Sequence, residues 1–394
     1  MSTHPESWAQ FNLGKVADVT WGDTSTTKKS YVDDGYTAFS ASGPDGFLDH
    51  YDYDQTGIVV SAIGAQCGKI WKASGKWSCI KNTMRILPNS DAVSIDYLFQ
   101  FLSIDAFPKR GTGQPFIRQQ DARAIPVPIP PLPEQQRIVD ILEEQFSRLD
   151  AALASIRTVR AKAASFRRSL LRQTFGNVTH FGEIDDWEYV RLGDAGRWLG
   201  GGTPSKSEPS FWADGDVPWV SPKDMKQLVL ADSEDHITRD AVANSSVRIV
   251  APGSVAVVVR SGILERCLPV ALIPFESTLN QDMKAVEPHG NVRAKWLLYA
   301  IQGAEYQILK TCRKSGTTVA SIEWSAFSDY EIPLVSLPEQ DLIIDELEDR
   351  LSRQDAVMAI ADQLEARIAA ERRSLLHAAF SGSLTAQWRK THHG

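Results

Sequence analysis

Leu132-Pro133-Glu134-Gln135 and, 205 positions later, Leu337-Pro338-Glu339-Gln340 open two stretches that match without a gap for some forty residues. Ile138, Asp140, Leu142 and Glu143 fall on Ile343, Asp345, Leu347 and Glu348. Ser147-Arg148 falls on Ser352-Arg353 and Asp150-Ala151 on Asp355-Ala356. Arg167-Arg168-Ser169-Leu170-Leu171 falls on Arg372-Arg373-Ser374-Leu375-Leu376, and Phe175 on Phe380 closes the unit. The same offset reaches back to Gly111-Thr112 on Gly316-Thr317, Ile117 on Ile322 and Pro128 on Pro333. A weaker echo at another offset puts Trp8, Leu13 and Gly14 on Trp187, Leu192 and Gly193. The chain is a tandem duplication of about 200 residues, and two copies are too few for a solenoid.

The matched segment has every local mark of a long helix. Pro126, Pro128, Pro130 and Pro131 forbid helix before it, Pro133 suits a first turn, Glu134 complements the N-terminal dipole, and no Pro or Gly follows until Gly176. About forty residues make roughly 60 Å of helix. Leu142, Leu149, Ile156, Ala163 and Leu170 recur every seventh position, with Ile138, Ala152, Val159 and Phe166 on the neighbouring seam. Leu347, Ala361, Ile368 and Leu375, with Ile343, Val357 and Leu364, keep that register in the second copy. This is coiled-coil spacing, and a helix so long would overhang a domain some 30 to 40 Å across. The two helices are therefore expected to pair with each other, antiparallel, about a pseudo-two-fold axis.

The regions between are expected to be compact α+β modules. Gly57-Ile58-Val59-Val60-Ser61-Ala62-Ile63 and Gly253-Ser254-Val255-Ala256-Val257-Val258-Val259 read as strands, while residues 96–102 and 292–301 read as helices. The expected organisation is a first module over residues 1–130, a helix over 131–177, a second module over 178–335, a second helix over 336–385 and a tail over 386–394. A length of 394 residues, 43% hydrophobic and 23% charged, fits such a globular assembly. No window supplies the 18 or so apolar residues of a membrane helix, and the N-terminus lacks a signal-peptide pattern, so a cytoplasmic protein without membrane contact is expected. Cys67, Cys79, Cys267 and Cys312 include no C-x-x-C pair and read as small core residues. The net charge of −7 counts against nucleic-acid binding until its distribution is seen. Residues 151–182 hold no Asp or Glu but contain Arg157, Arg160, Lys162, Arg167, Arg168 and Arg172.

Catalytic signatures fail one by one. Gly64-Ala65-Gln66-Cys67-Gly68-Lys69-Ile70 has the wrong glycine spacing for a P-loop, and Ile70 stands where a magnesium-binding Ser or Thr belongs. Gly200-Gly201-Gly202-Thr203-Pro204 reads as a flexible loop. Asp224-Met225-Lys226 and Asp282-Met283-Lys284 resemble the end of a nuclease site, but Asp214 and Asp216 are too close in sequence to complete one. Asp49, Asp52 and Asp54 read as a solvated loop, no His pair has zinc-ligand spacing, and neither a glycine fingerprint for S-adenosylmethionine nor an Asn-Pro-Pro-aromatic tetrad is present. The chain is not expected to be an enzyme or to hold a metal or cofactor.

Two divergent modules on a duplicated helical spacer resemble the specificity subunit of type I restriction-modification systems. The resemblance rests on Pro131-Leu132-Pro133-Glu134-Gln135-Gln136-Arg137-Ile138, on Ser336-Leu337-Pro338-Glu339-Gln340, and on the helix ends Arg168-Ser169-Leu170-Leu171-Arg172-Gln173-Thr174-Phe175-Gly176 and Arg373-Ser374-Leu375-Leu376-His377-Ala378-Ala379-Phe380. It implies two target recognition domains, each reading one half of a bipartite site in double-stranded DNA, held apart by helices that dock two modification (methyltransferase) subunits. Adenine methylation would then belong to partners that bind S-adenosylmethionine, and cleavage to restriction subunits that use ATP and Mg. Residues 341–371, more acidic than their counterparts, depart from strict equivalence. The alternatives are a coiled-coil interaction scaffold without DNA binding and a stand-alone metal-dependent nuclease.

Residue chemistry nominates the DNA contacts, because Arg, Lys, Gln, Ser and Thr read base edges and position phosphates. In the first module these are Thr24, Ser25, Thr26, Thr27, Lys28 and Lys29 with Tyr31, and Lys109, Arg110, Gly111, Thr112 and Gln114 with Arg118, Gln119 and Gln120. In the second they are Thr203, Ser205, Lys206, Lys223, Arg260, Arg313, Lys314, Gly316, Thr317 and Thr318. The expected partner interface is Leu142, Leu149, Ile156, Leu170, Phe175, Leu347, Ile368, Leu375 and Phe380.

Overall fold

A computed structural model describes residues 5–104, 106–175, 187–314 and 319–392. It divides into two compact units, Met1–Arg157 with Asp362–Gly394, and Thr158–Ala361. Each long helix therefore belongs in part to both.

The first unit is built on an antiparallel sheet in the order Ala17–Trp21, Thr83–Pro88, Gly57–Ser61, Ile70–Ala73. Gly57–Ser61 is buried along its length, which is why it reads as a continuous apolar run rather than an alternating one. A second sheet runs Gly43–Leu48, Tyr36–Ser40, Lys76–Cys79, Tyr53–Asp54. The ribbon Ala9–Asn12 with Pro126–Ile129 joins the two ends of the module.

The second unit repeats the plan. Its main sheet runs Gly196–Gly200, Met283–Pro288, Ser254–Val258, Val270–Ile273, and its ribbon pairs Glu188–Arg191 with Glu331–Leu334. The leading strands of the two ribbons reproduce the weaker sequence echo and the trailing strands the stronger one. The length difference between copies thus lies in the loops between them, where insertions cost little.

The long helices are Leu132–Phe175 and Leu337–Phe380, each of 44 residues. In the first unit Arg372 donates to Asp150 at 3.0 Å and lies 4.3 Å from the Phe146 ring. In the second, Gln354 donates to the Ala163 carbonyl and Arg167 lies 3.5 Å from Asp355. Residues 146–150 of the first helix thus meet 372 of the second, and 163–167 meet 354–355; one number rises as the other falls, so the two helices run antiparallel, as expected.

The repeated Gln fixes each helix to its module. Gln135 is fully buried; its Oε1 accepts from Ser94 N (2.8 Å) while its Nε2 donates to the carbonyls of Ala92 (2.7 Å) and Pro130 (2.8 Å). Gln340 makes the same three bonds to Arg293 N, Asn291 and Val335. The far ends are fixed by the closing phenylalanines. Phe380 meets Tyr97 and Phe101 at 5.4 and 5.2 Å, and Phe175 meets Trp296 at 4.9 Å.

Several expectations need correction. Leu142, Leu170, Leu347, Phe175 and Phe380 are buried in the units' own cores, with Leu149 and Leu375 partly buried against them, and Ile156 and Ile368 are buried as well, so they are not open to a partner. The second seam closes only where Ile138 and Ile343 meet the modules: Phe166 is 52% exposed, and Val159, Val357 and Leu364 are also exposed, because a pair of helices covers only one stripe of each. The run Gly200-Gly201-Gly202 is not a loose loop. Gly201 N donates to Met283 O and Gly202 N to Leu279 O, and a Cβ on Gly201 would stand 1.9 Å from the Asn280 carbonyl oxygen. The tail contains a helix, Ala386–His392, and the helix expected over 292–301 extends over Ala294–Thr311. Two acidic residues of the second helix serve its module: Asp341 takes Arg293 Nε and Nη2 (2.8 and 2.7 Å), and Glu348 takes Lys295 and the Tyr299 hydroxyl. Cys67, Cys79 and Cys312 are buried and Cys267 half-buried. Among the described residues no helix is long and apolar enough to cross a membrane.

Candidate nucleic-acid interface

Four segments meet at one edge of each module, at the strand ends of its main sheet. In the first, Gly22 N donates to Thr83 O (3.0 Å), Asp23 N to Cys79 O (2.8 Å), Ala62 N to Asn82 O (2.9 Å) and Ile117 N to Ala62 O (2.9 Å). The loop bearing Gly111-Thr112 is closed by paired bonds between Arg110 and Phe116, 2.9 Å each way. Gly111 has φ +86°, and a Cβ there would lie 2.7 Å from the Gln114 carbonyl oxygen, so the turn requires glycine.

The second module brings equivalent segments together. Val259 N donates to Asp282 O and Ile322 N to Val259 O, both 2.8 Å, while Arg260 bridges to Ser321 and Arg313 to Ile322. Thr24 to Thr27 and Thr203 to Lys206 continue the equivalent strands Ala17–Trp21 and Gly196–Gly200. The backbone frame is shared and the side chains on it differ.

Thr24, Ser25, Lys28, Lys29, Lys109, Gly111, Thr112, Gln114, Arg118 and Gln120 are exposed, whereas Thr26, Thr27 and Tyr31 are half-buried. Asp23 organises the first loop: it accepts from Thr26 Oγ1 and from both N and Oγ of Ser25, bonds that hold its carboxyl down at about 2. Asp45 organises the next: it accepts from Lys28 Nζ (2.5 Å), Ser40 Oγ (2.7 Å) and Tyr31 OH (2.8 Å). Burial pushes the Asp45 carboxyl up, but these donors outweigh it and keep it below the usual range. Gln119 is committed inward, donating to the Val19 carbonyl at 2.8 Å.

In the second module Ser205 and Lys206 are exposed and Thr203 Oγ1 donates to Gln281. Arg260 is paired with Asp282 (2.5 Å), Arg313 with Glu265 (3.0 Å) and Lys314 with Glu323 (3.2 Å). Lys223, on the turn after strand Val217–Val220, is held by Asp235 (2.9 Å) and Glu234 (3.2 Å). Gly316, Thr317 and Thr318 lie outside the described residues.

Lys28, Lys223, Arg260, Arg313 and Lys314 are thus tethered, as is Arg110 to Asp121 at 2.7 Å. Exposed pairs of this kind are worth at most about 1 kcal/mol, so a phosphate or a base edge can displace the carboxylate. Pairing keeps each guanidinium or ammonium in one place and keeps the edge from attracting every polyanion, consistent with a net charge of −7. The tethering carboxylates were not legible as site residues; Asp282 stood out only as half of a nuclease triplet. Lys284, in the same triplet, was not nominated for DNA either. Its ammonium lies 4.3 Å from the Trp324 ring centre, and burial lowers its pKa.

The nuclease triplets dissolve into local structure. Asp224 accepts from Ser221 N and Oγ and from Glu234 N, and Asp282 holds Arg260. Among the described residues no three His, Cys, Asp or Glu side chains converge to hold a metal ion.

Residues 5–156 and 184–366 match the family described as type I restriction modification DNA specificity domain. The specificity subunit of the EcoR124I/EcoR124II type I restriction enzyme of Escherichia coli is 40% identical over 239 residues, covering 59% of this chain and 57% of that subunit. The EcoDI specificity subunit of Escherichia coli is 20% identical over 98% of this chain and 90% of its own. Among solved structures, the HsdS subunit of Thermoanaerobacter tengcongensis covers 96% of this chain and 98% of its own, with TM-score 0.53 and 20% identity. A chain from a type I R-M system, solved to explain complex assembly and conformational transition, reaches TM-score 0.74 at 20% identity and the same coverage. At such identity these likenesses show the fold. The long family match, falling separately on both copies of the repeat, shows that this chain belongs to the type I restriction modification DNA specificity domain family.

Proposed function

We propose that the chain is the DNA-reading subunit of a type I restriction-modification complex, with each module reading one half of a bipartite duplex site. The observation that carries this is the repeated edge: the same four hydrogen-bonded segments in both modules, bearing different Ser, Thr, Gln, Lys and Arg side chains. A shared frame with divergent donors and acceptors suits two readers of different base sequences. Modification subunits that bind S-adenosylmethionine supply methyl transfer to adenine, and restriction subunits supply ATP- and Mg-dependent cleavage. The proteins dock on the apolar stripe left exposed along the helices, where Val159, Phe166 and Val357 line an open groove flanked by Lys162, Arg350 and Arg353.

The test is selection from random duplexes by the chain reconstituted with its modification subunit, followed by sequencing of the bound pool. The expected result is one motif of two fixed halves around an unread spacer. A pool without enrichment would leave the interaction-scaffold reading, and magnesium-dependent cutting by the chain alone would restore the nuclease.

A further inference from the structure

Most cations of the reading edge are tethered, but each unit holds a second basic cluster beside it. In the first unit a cavity of about 790 Å³ is lined by Gln66, Lys69, Lys109, Arg372 and Arg373, with no Asp or Glu in its wall. It lies between the loop before strand Ile70–Ala73, the end of helix Ile95–Leu102 and the last turns of the second long helix. The second unit has a cavity of about 580 Å³ at the equivalent place, lined by Arg167, Arg168 and Arg172 from the first long helix, by Leu268, and by Gln302 and Tyr306. Glu305 is the one acid there, and its Oε1 already accepts from Leu268 N at 2.7 Å. The duplication has therefore placed a basic helix end against the same part of each module.

We propose that these two clefts grip the phosphate backbone flanking each half-site. The inference rests on the DNA-recognition reading. Continuity supports it: Gly64 N donates to Pro115 O at 2.9 Å, joining the loop that carries Gln66 and Lys69 to the Gly111-Thr112 loop, and Lys109 at the start of that loop lines the cavity. A strand read at the edge carries a charge every 3.4 Å or so, and its next phosphates must pass nearby. Electrostatics supports it too. Arg373 and Lys69 are exposed and have no carboxylate within ion-pair range among the described residues, in contrast to the tethered reading residues. Arg372 is held across the Phe146 ring with Asp150 behind it, a fixed donor. The apolar face suited to a protein partner lies elsewhere on the helices, around Phe166 and Val357.

The test compares the wild-type complex with Lys69→Gln/Arg373→Gln and Lys69→Arg/Arg373→Lys on the selected duplex over a range of salt. Two lost phosphate contacts should flatten the plot of log K against log salt by about 1.8 units, since each contributes about 0.9. The charge-conserving pair should restore the slope, and the sequences selected should not change. Arg168→Gln/Arg172→Gln should act likewise in the second unit. An unchanged slope overturns the proposal, as does loss of modification-subunit binding with normal DNA affinity per assembled complex, which would make the clefts protein surfaces. Failure of the wild-type complex to bind any duplex would refute the DNA-recognition reading itself.

Discussion

Glu134 and Glu339 occupy the same place in the repeat and do different things, because Pro131 stands where the other copy has Ser336. Ser336 donates its N–H and hydroxyl to Glu339 at 3.0 and 2.6 Å, half of a capping box at the helix start. Pro131 has neither donor. Glu134, fully buried, instead accepts from Trp8 Nε1 (3.0 Å), Thr385 Oγ1 (2.7 Å) and Arg389 Nε and Nη2 (2.9 and 2.7 Å), closing the C-terminal helix onto the start of the first module. Burial pushes this carboxyl up, but the three donors outweigh it and hold it below its ordinary value. A folded pKa below the unfolded one contributes stability that is complete above the ordinary carboxylate range and is lost as pH falls through the lowered value. Glu134→Gln should therefore lower the melting temperature at pH 7 and cost progressively less below about pH 4. A gap between wild type and variant that widens with acid would contradict this role. The sequence displays the Pro/Ser difference and both glutamates, but not that Arg389 lies against Glu134, because a contact so remote in sequence leaves no local pattern.

At the scale of elements, the helices were the most legible part. Heptad spacing and the proline-rich entry located both starts to within a residue and the first end to within two, while the second helix stops at Phe380, five residues short of the expected 385; the β-branched runs located Gly57–Ser61 and Ser254–Val258. What periodicity could not show was how much of the second seam the companion helix would leave uncovered. That uncovered stripe makes a prediction. Phe166→Asp with Val357→Asp should leave the melt of the isolated chain within about 0.5 kcal/mol of wild type, as exposed changes usually do, and should abolish capture of the modification subunit. Retained capture would move the docking surface elsewhere. The glycine run was misread because composition resembles a loop whether a glycine is there for freedom or for close approach. Gly201→Ala should destabilise the second unit by about 3 kcal/mol, the upper range for overpacking, in a denaturant melt. A neutral effect would show that the strand end can move away from Asn280.

For the whole molecule, net charge concealed more than it told. The cations expected to face DNA are there, but many share their space with a carboxylate that sequence alone could not assign to them, and the basic clefts arise only where a helix end meets a loop far away in sequence. The duplication was fully visible, and it is what gives the molecule two edges of one design. If those edges are independent readers, exchanging one must alter half of the target. The direct measurement replaces residues 183–332 with the second module of another specificity subunit, reconstitutes the complex and sequences the duplexes it binds. One half of the recognised site should change while the other half is retained base for base; a pool altered in both halves, or in neither, would contradict modular recognition.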